Sequence, residues 1–403
     1  MLPWAAIVVL SWLALFPITS VDAYYHLAVG RWMLEHREIP DRAVFSATFG
    51  DRPWHDNEWG FQLLAAAIGR AERSADRVLE LTAAGTVGLI GLRAVALGLT
   101  LALLSAAMAR GGVDPLSRAV AVVWIAFLTF NNLFWAVRPQ ILTYAALAAL
   151  VWILARDRQG GNRWLFAALP LIALWANVHG AFIVAVVLLG AETAGSWLDR
   201  DGRFGRLAVV TALAPVAACV NPHGWRQVVH PFLYVLRPEI HAGNAEWTRP
   251  DLLHLPLLVL STVWVAVALA AGERRRWADI LRALAFLGLF STAIRHLPLL
   301  AIVLVPIGFE AAAGAARRRG WRGAVLPTAT LHRPPAFRLG AAAVAVVAIV
   351  ALSGARFVGI VPAFGERPVR PMPEAAVREI ARSGIAGNVL NSYRMGGFLM
   401  FRL

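Results

Sequence analysis

The chain has 403 residues, of which 59% are hydrophobic and 15% charged, and its mean hydropathy is +0.62. This composition excludes an ordinary soluble globular protein and is typical of a protein that crosses a membrane several times. The net charge of +14 does not indicate nucleic-acid binding, because the arginine runs are short and lie between apolar segments. The single cysteine, Cys219, excludes an internal disulfide.

Apolar segments of membrane-spanning length recur along most of the sequence. A hydrocarbon core about 30 Å thick needs about 20 apolar residues per helix, and lipid offers no water to exposed backbone groups. The sequence therefore predicts an all-α polytopic membrane protein with about eleven transmembrane helices over residues 1–360. The predicted spans are 2–20, 83–108, 118–136, 138–156, 164–180, 181–198, 206–220, 252–272, 279–294, 296–314 and 338–360.

Arginine-rich loops predict the orientation. The runs at 156–163, 200–206, 274–276 and 317–322 all fall on one side when the spans are threaded through a bilayer. The positive-inside bias makes that side cytoplasmic. We therefore expect a cytoplasmic amino terminus, with the first loop, at 21–82, and a tail at 361–403 both outside.

The first loop begins with an acid, Asp22, and contains a second, Glu58, among Tyr, His, Trp and Arg residues. Ala23–His36 and the segment that starts at Glu58 repeat apolar residues at helical spacing, which predicts two helices near the membrane surface. Polar groups retained at a membrane boundary usually mark a site. For Asp22 alone, capping of the first helix is an equally good interpretation.

Further polar residues lie at the outer ends of later spans. Arginine can donate paired hydrogen bonds to phosphate, histidine and carboxyl groups carry acid–base chemistry, and aromatic rings can stack on a sugar or an isoprenoid chain. Each residue alone has a simpler interpretation, since interfacial Arg and Trp snorkel or form belts. Together they predict a pocket for an anionic lipid-linked substrate. The expected binding residues are Tyr24, Tyr25, His26, His55, Trp59, Arg138, Asn177, His179, Asn221, His223, Arg295 and His296.

Several motifs resemble the GT-C glycosyltransferase superfamily. They are D-x-Y-Y-H-L-x-x-G at 22–30, I-P-D at 39–41, F-S-x-T at 45–48, P-W-H-x-x-E-W at 53–59, R-P-Q at 138–140, W-A-N-V-H-G at 175–180, N-P-H-G at 221–224, E-W at 246–247 and R-H-L-P at 295–298. This set looks like a largely uncharacterised bacterial group of GT-C-like membrane proteins. The group is distantly similar to protein O-mannosyltransferases, oligosaccharyltransferases and aminoarabinose transferases.

The resemblance implies a transferase of the bacterial inner membrane that moves a hexosyl or pentosyl group from a polyprenyl-phosphate-linked donor to an extracytoplasmic acceptor. By position, Asp22 matches the acid of the first outer loop, which in the superfamily activates the acceptor or helps to bind a divalent cation. Glu58 would be a second loop carboxylate, and these two are the expected catalytic residues. Arg138 and Arg295 are expected to hold the donor phosphate. The ligands of any metal ion stay unassigned.

Two other functions stay open at this point. A lipid or polysaccharide transporter or flippase would need charge at the membrane midplane, for which Arg93 is the candidate inside a span. A non-catalytic assembly subunit of an envelope glycan pathway would use the first loop to bind a partner. The resemblance also implies that the tail at 361–403 is either a short variant or the start of an outer soluble domain.

Overall fold

The computed structural model describes residues 1–15, 18, 20–129, 136–160, 162–237, 239, 244–250, 255–271, 276–318, 373–384 and 387–403. In chain order the helices are α1 (Leu2–Leu13), α2 (Val21–His36), α3 (Trp59–Ile68), α4 (Ala83–Arg110), α5 (Pro115–Thr129), α6 (Gln140–Asp157), α7 (Ala168–Val178), α8 (Ile183–Asp199), α9 (Phe204–Ala218), α10 (Trp225–Leu236), α11 (Leu255–Ala271), α12 (Trp277–Thr292), α13 (Leu297–Arg318), α14 (Glu374–Ser383) and α15 (Gly396–Arg402). Each predicted span up to residue 314 overlaps one of these helices. The predicted span at 338–360 lies outside the described residues.

Four helices of the described residues are long and apolar enough to cross a membrane, judged by length and composition. They are Ala83–Arg110, Gln140–Asp157, Gly180–Asp199 and Ile294–Arg318. Other apolar helices are shorter than the about 20 residues that a straight span needs. Examples are α1 with 12 residues and α9 with 15. The protein is thus mainly helical with several long apolar helices, and the count of eleven spans stays a prediction.

The helices enclose one large apolar core. Helix α4 packs along α6, α8 along α12 and α11 along α13. Leu104, Leu147 and Ile302 are fully buried in this core. Gly195 allows α8 and α12 to approach closely, because a Cβ at this position would collide with the backbone of Ala278. Small residues at such crossings are typical of helix packing in membranes.

The first loop contains the two helices that its periodicity predicts, now α2 and α3. They pack side by side, and Gly30 lies directly on the carbonyl group of Gln62, where no side chain would fit. Leu27 of α2 is buried, whereas Leu34, also an apolar residue of this helix, is 49% exposed. The reason is that the buried face runs through Gly30 to Met33, and Leu34 points away from it.

A short β-hairpin between α3 and α4 amends the all-α prediction. Strands β1 (Ala71–Arg73) and β2 (Leu79–Leu81) pair antiparallel, with Glu72 opposite Glu80. Segments of three residues are too short for the alternating pattern by which a strand is predicted from sequence. The sequence therefore does not predict this hairpin.

The described part of the tail folds back onto the first loop. The Phe398 ring meets the Tyr24 ring edge-on, with 5.1 Å between centroids. Arg378 donates hydrogen bonds to Asp76 at 3.0 Å and to Glu80 at 2.7 Å. Residues 373–384 and 387–403 thus pack against the loop at 21–82, while 361–372 lie outside the described residues.

Charged and polar side chains gather at two opposite ends of the helices. Helix α6 begins beside Arg138 and ends at Asp157, so it runs from one end to the other. We call the end with the loop at 21–82 the loop end, and the end with Arg158, Arg203, Arg206 and Arg282 the arginine end. The segments predicted to lie outside meet at the loop end, and the arginine-rich segments meet at the arginine end.

At the arginine end, Glu192 on α8 is completely buried and surrounded by guanidinium groups. Its carboxylate accepts hydrogen bonds from Arg158 at 2.9 and 2.8 Å and from Arg203 at 2.8 Å, and Arg282 lies 3.5 Å away. Arg93 was therefore not the only charge inside an apolar helix. The sequence interpretation missed Glu192, which is hidden in a hydrophobic segment.

Candidate functional site

Glu58 lies at the loop end, at the N-cap position of α3. Its carboxyl group lies between two imidazole rings. Atom Oε2 is 3.9 Å from His26 Nδ1, and Oε1 is 3.5 Å from His179 Nε2. His26 is on α2 and His179 directly follows α7, so three segments far apart in sequence meet at this carboxyl group. The structure thus brings together three of the predicted site residues.

The ring proton of His179 can be assigned from its hydrogen bonds. Trp175 Nε1 donates to Thr143 Oγ1 over 2.9 Å. The hydroxyl proton of Thr143 then has His179 Nδ1, 2.8 Å away, as its acceptor. This arrangement leaves the imidazole proton on Nε2, the nitrogen that faces Glu58. A buried chain of hydrogen bonds therefore orients an N–H group toward the carboxyl group.

Several buried polar atoms beside Glu58 have no hydrogen-bond partner among the described residues. They are His26 Nδ1, Asp56 Oδ2 and both side-chain polar atoms of Gln62, although the Gln62 amide lies close enough to Asp56 and Tyr25 to lower the pKa of each. His26, Asp56 and Gln62 are 4%, 2% and 0% exposed. Buried polar atoms are nearly always hydrogen-bonded, either within the protein or to water or a ligand. This cluster is therefore a suitable lining for a polar ligand.

Burial sets the protonation states at this site. It raises the pKa of Glu58 to about 8, and the neighbouring carboxyl group of Asp56 adds to the rise, while Arg295 and Arg138 oppose it. Burial also raises the pKa of Asp56 to about 6. It lowers the pKa of His26 and of His179 to about 3 in each case. Near neutral pH, Glu58 thus exchanges its proton readily, between two neutral imidazoles.

Arg138 forms an ion triad with two carboxylates. Its Nη2 lies 2.5 Å from Asp22 Oδ2, its Nη1 donates to Glu246 Oε1 at 2.6 Å, and its Nε donates to Ser20 Oγ at 3.2 Å. Asp22 makes no cap hydrogen bond, since the N-cap position of α2 is Ser20 and Asp22 lies in the first turn. The structure thus places Asp22 in a pair with Arg138, which the capping interpretation did not foresee.

Arg295 is more available to a ligand than Arg138 is. It makes no hydrogen bond or ion pair with any residue that the structure describes, and its guanidinium carbon lies 4.4 Å from the centre of the Trp247 ring. Trp247 in turn stacks on Tyr234, with 5.5 Å between centroids and 6° between planes. The charge of Arg295 lowers the pKa of both Glu58 and His179, so it acts on the same site.

His296, the next residue, is bonded within the protein. Its Nδ1 donates to the carbonyl oxygen of Leu289 at 2.9 Å, and its ring meets Trp247 edge-on at 6.0 Å. A hydrogen bond within the protein is the ordinary role of an interfacial histidine. The contact of His296 with a substrate stays a prediction.

Asn177 links three segments by hydrogen bonds. Its side-chain oxygen accepts from Trp59 Nε1 at 3.2 Å and from Asn221 Nδ2 at 3.1 Å, and its Nδ2 donates to the carbonyl oxygen of Val220 at 2.7 Å. A Cβ on Gly60 would lie 2.5 Å from the carbonyl oxygen of Asn177, so only glycine allows this approach. We interpret Trp59, Asn177 and Asn221 as residues that position α3. Their predicted contact with a substrate stays open.

His55 and His223 hold the segment before Glu58 against α10. His55 Nε2 donates to Gln227 Oε1 at 2.9 Å, and His223 Nε2 donates to the carbonyl oxygen of Asp56 at 3.0 Å. The His55 ring also stacks on His230, with 4.4 Å between centroids. Burial lowers the pKa of His55 and brings that of His230 to about 4. The rings of His55, His223 and His230 pack together and place Asp56 and Glu58.

The two tyrosines of the first loop have different surroundings. Tyr24 packs against Phe398 and against Phe401 of α15, which is a structural contact. Tyr25 faces the acidic groups, since burial raises the pKa of its hydroxyl group and Asp56 and Glu58 raise it further. Tyr25 therefore belongs to the candidate site, whereas Tyr24 belongs to the contact between loop and tail.

Four residues of the site were not selected from the sequence. Glu246 completes the triad of Arg138, Asp56 and Gln62 lie beside Glu58, and Thr143 orients His179. Glu246 and Asp56 lie within motifs that were recognised, E-W and P-W-H-x-x-E-W, so a signal existed. Nothing in the sequence distinguishes Thr143 from other threonines in apolar helices.

Among the described residues, no group of three or more His, Cys, Asp or Glu side chains is arranged to hold a metal ion. The carboxylates nearest to Glu58 are divided between different partners, since Asp22 pairs with Arg138 and Asp56 accepts from the backbone of Glu58. A divalent cation as cofactor stays a prediction of the family resemblance.

Comparison of the chain with protein-family models finds no match, and comparison with curated proteins finds none either. The likeness to GT-C glycosyltransferases therefore stays a prediction from the motifs of this sequence.

Proposed function

We propose that the protein is a membrane-embedded glycosyltransferase that transfers a sugar from a polyprenyl-phosphate-linked donor to an extracytoplasmic acceptor. The observation that carries the proposal is Glu58, a carboxyl group with a raised pKa between two neutral histidines. A general base works best when its pKa is near the working pH. An available arginine and a stacked aromatic pair lie at the same end of the molecule.

In the proposed reaction Glu58 accepts the proton of the acceptor hydroxyl group. The acceptor oxygen then forms a bond to C1 of the sugar as the bond between C1 and the phosphate oxygen breaks, with inversion at C1. The electron pair leaves on the lipid phosphate. His179 N–H, held by Thr143, stabilises the carboxylate form of Glu58 before the transfer.

Arg295 is the proposed partner of the departing phosphate. Its guanidinium group is planar, permanently charged and able to donate two parallel hydrogen bonds to phosphate. The face of Trp247 holds this group in place and extends into the stack with Tyr234. Arg138 adds positive potential, but its donors are already occupied by Asp22 and Glu246.

Asp22 then has a positioning role in the proposal. Its carboxylate is 47% exposed and pairs with Arg138 at 2.5 Å. Its Oδ2 is thus taken up by a guanidinium group, whereas neither carboxyl oxygen of Glu58 is paired with a described arginine. We therefore assign the proton transfer to Glu58 and the orientation of Arg138 to Asp22.

The proposal includes a location in the bacterial inner membrane, with the arginine end in the cytoplasm. Reporter fusions placed after Arg276 and after Pro371 are expected to report opposite sides of the membrane. The reason is that an odd number of predicted spans, at 279–294, 296–314 and 338–360, lies between the two positions. Two reporters on the same side would contradict the orientation.

A pH dependence follows from the raised pKa of Glu58. The ionised form is the active one, so kcat/KM is expected to rise with pH and to level off above about pH 8. His26 and His179, whose pKa values are lowered to about 3, do not titrate in this range. The measurement is the initial rate of sugar transfer across a pH series. A rate that is already maximal near pH 6, where Asp56 titrates, would contradict this assignment.

The function itself is tested with the purified protein and a polyprenyl-phosphate donor carrying a labelled sugar. Transfer of the label to an acceptor, with release of the lipid phosphate, is the expected result. Movement of the intact donor between leaflets without cleavage would show that the protein is a flippase and not a transferase.

Arg93, the candidate charge for transport, has a structural role. It donates from Nε and Nη2 to the carbonyl oxygen of Ala14 at 3.0 and 2.7 Å and so binds the end of α1.

A further inference from the structure

A cavity of about 610 Å³ lies at the arginine end, far from the candidate site. Small-molecule pockets typically enclose about 300–1,000 Å³, so this cavity is large enough for a ligand. Its charged lining consists of Arg110, Arg158, Arg276 and Arg317, with Asp279 and Glu310. The four arginines come from the end of α4, the end of α6, the start of α12 and the end of α13.

The positive groups of this cavity exceed the negative ones. Four guanidinium groups face two carboxyl groups, but Arg158 and Asp279 are paired with each other, which leaves three guanidinium groups and Glu310. Asp279 accepts from Arg158 at 3.1 Å and forms a close ion pair with Arg282. Glu310 accepts no hydrogen bond or ion pair from the residues that the structure describes and packs against Gly111. The cavity therefore keeps a net positive charge.

Two of the arginines have donors to spare. The guanidinium group of Arg276 makes no hydrogen bond or ion pair within the described part of the chain, and this side chain is exposed. Arg317 is also exposed and uses one donor, Nη1, on the carbonyl oxygen of Gly112 at 3.2 Å. By contrast, Arg158 is fully occupied by Glu192 and Asp279. The spare donors thus lie at the mouth of the cavity, where a ligand would enter.

A neighbouring cavity of about 680 Å³ provides a comparison. Arg276 lines this cavity as well, but here it is joined by three aspartates, Asp157, Asp199 and Asp201. The other arginines of the second cavity are paired, for example Arg203 with Asp201 at 2.5 Å and Arg206 with Asp157 at 2.9 Å, whereas the first cavity adds the spare donors of Arg317. Arginines that are already paired have little to offer an anion. The first cavity is therefore the better site for one.

We propose that the cavity of about 610 Å³ binds a phosphate group, carried either by an anionic lipid headgroup or by a water-soluble phosphoryl compound. Arg276 and Arg317 hold the phosphate oxygens with charge-assisted hydrogen bonds, and Arg110 adds positive potential. Glu310 faces the same space and opposes the anion. The site is independent of the proposed sugar transfer and its test requires no enzymatic activity.

The test measures binding by the purified protein in two arms. In the first, inorganic phosphate is titrated at constant ionic strength and followed by calorimetry. In the second, the protein in phosphatidylcholine bilayer discs, with or without phosphatidic acid, is analysed by native mass spectrometry for retained lipid. Binding in the first arm alone indicates a soluble source, and binding in the second indicates a lipid. Binding in neither arm overturns the proposal.

Variants locate the binding in the cavity. Arg276→Gln and Arg317→Gln are each expected to weaken binding about tenfold, the typical effect of losing a hydrogen bond between charged groups. Glu310→Gln is expected to tighten it up to several-fold at pH values where the carboxyl group of Glu310 is ionised, because it then removes a repulsive charge. Arg37→Gln, an exposed residue at the loop end, removes the same charge and is expected to have no effect. Equal weakening by Arg37→Gln and Arg276→Gln would show non-specific attraction and overturn the proposal.

Discussion

Glu58→Gln is expected to lower the rate of sugar transfer by about 10²–10⁴-fold, which is the usual contribution of a general base. The amide keeps the shape and the contacts with His26 and His179 but cannot accept the acceptor's proton. Donor binding, measured with a labelled donor and no acceptor, should change little. Glu38→Gln changes an exposed glutamate of the same loop and is expected to retain full activity.

Two further variants separate the roles of the charged residues. Arg295→Gln is expected to raise KM for the donor more than it lowers kcat, because it removes a contact with the donor phosphate. Asp22→Asn, which loses the pair with Arg138, is expected to cost less than Glu58→Gln. The reverse order, with Asp22→Asn inactive and Glu58→Gln active, would transfer the role of the base to Asp22.

Glu192→Gln is expected to destabilise the protein by about 3–5 kcal/mol, the usual cost of removing one partner from a buried ion pair. Glu192 is completely buried, and its carboxylate is the common partner of Arg158, Arg203 and Arg282. The neutral amide no longer balances the positive charge of these guanidinium groups. Its NH₂ group, which is a hydrogen-bond donor, faces their donors. The measurement is thermal unfolding in detergent, followed by circular dichroism.

The control for this variant is again Glu38→Gln, which removes an exposed charge and should leave the unfolding midpoint unchanged. If both variants unfold at the wild-type temperature, the buried cluster contributes little to stability and the charges around Glu192 must be solvated. Sugar transfer is not needed for this comparison, so its outcome does not depend on the proposed function.

The helices and the convergence of the polar segments could be predicted from the sequence, because both follow from local periodicity and from where a chain must leave an apolar layer. The approach of Glu58 to His179 is an example. Glu58 lies at the start of one apolar helix and His179 at the end of another, and both have the same predicted depth in the membrane. The pairing within that cluster could not be predicted. The sequence predicts that Arg138 binds the donor phosphate, but its guanidinium group is bonded to Asp22 and Glu246. Arg138 and Glu246 are 108 positions apart in the sequence.

The pairing of charges within apolar helices could not be predicted from the sequence either. Glu192 lies in a segment of high hydropathy, where one acid barely alters the average, and its three arginine partners come from other segments. Only the three-dimensional arrangement shows that it is compensated. Helix α1 ends at Leu13, whereas the first predicted span continues with the apolar sequence to residue 20.

The contact between tail and first loop has a consequence for biosynthesis. Asp76 and Arg378, which are hydrogen-bonded, are 302 positions apart, so the ribosome completes one long before the other. The loop with Glu58 leaves the ribosome early and must wait, with Tyr24 still uncovered, until Phe398 has been synthesised. A nascent chain halted before Gly396 thus has every candidate residue but not the helix that packs on Tyr24. The first loop is among the first parts to be translated and the last to be fully packed.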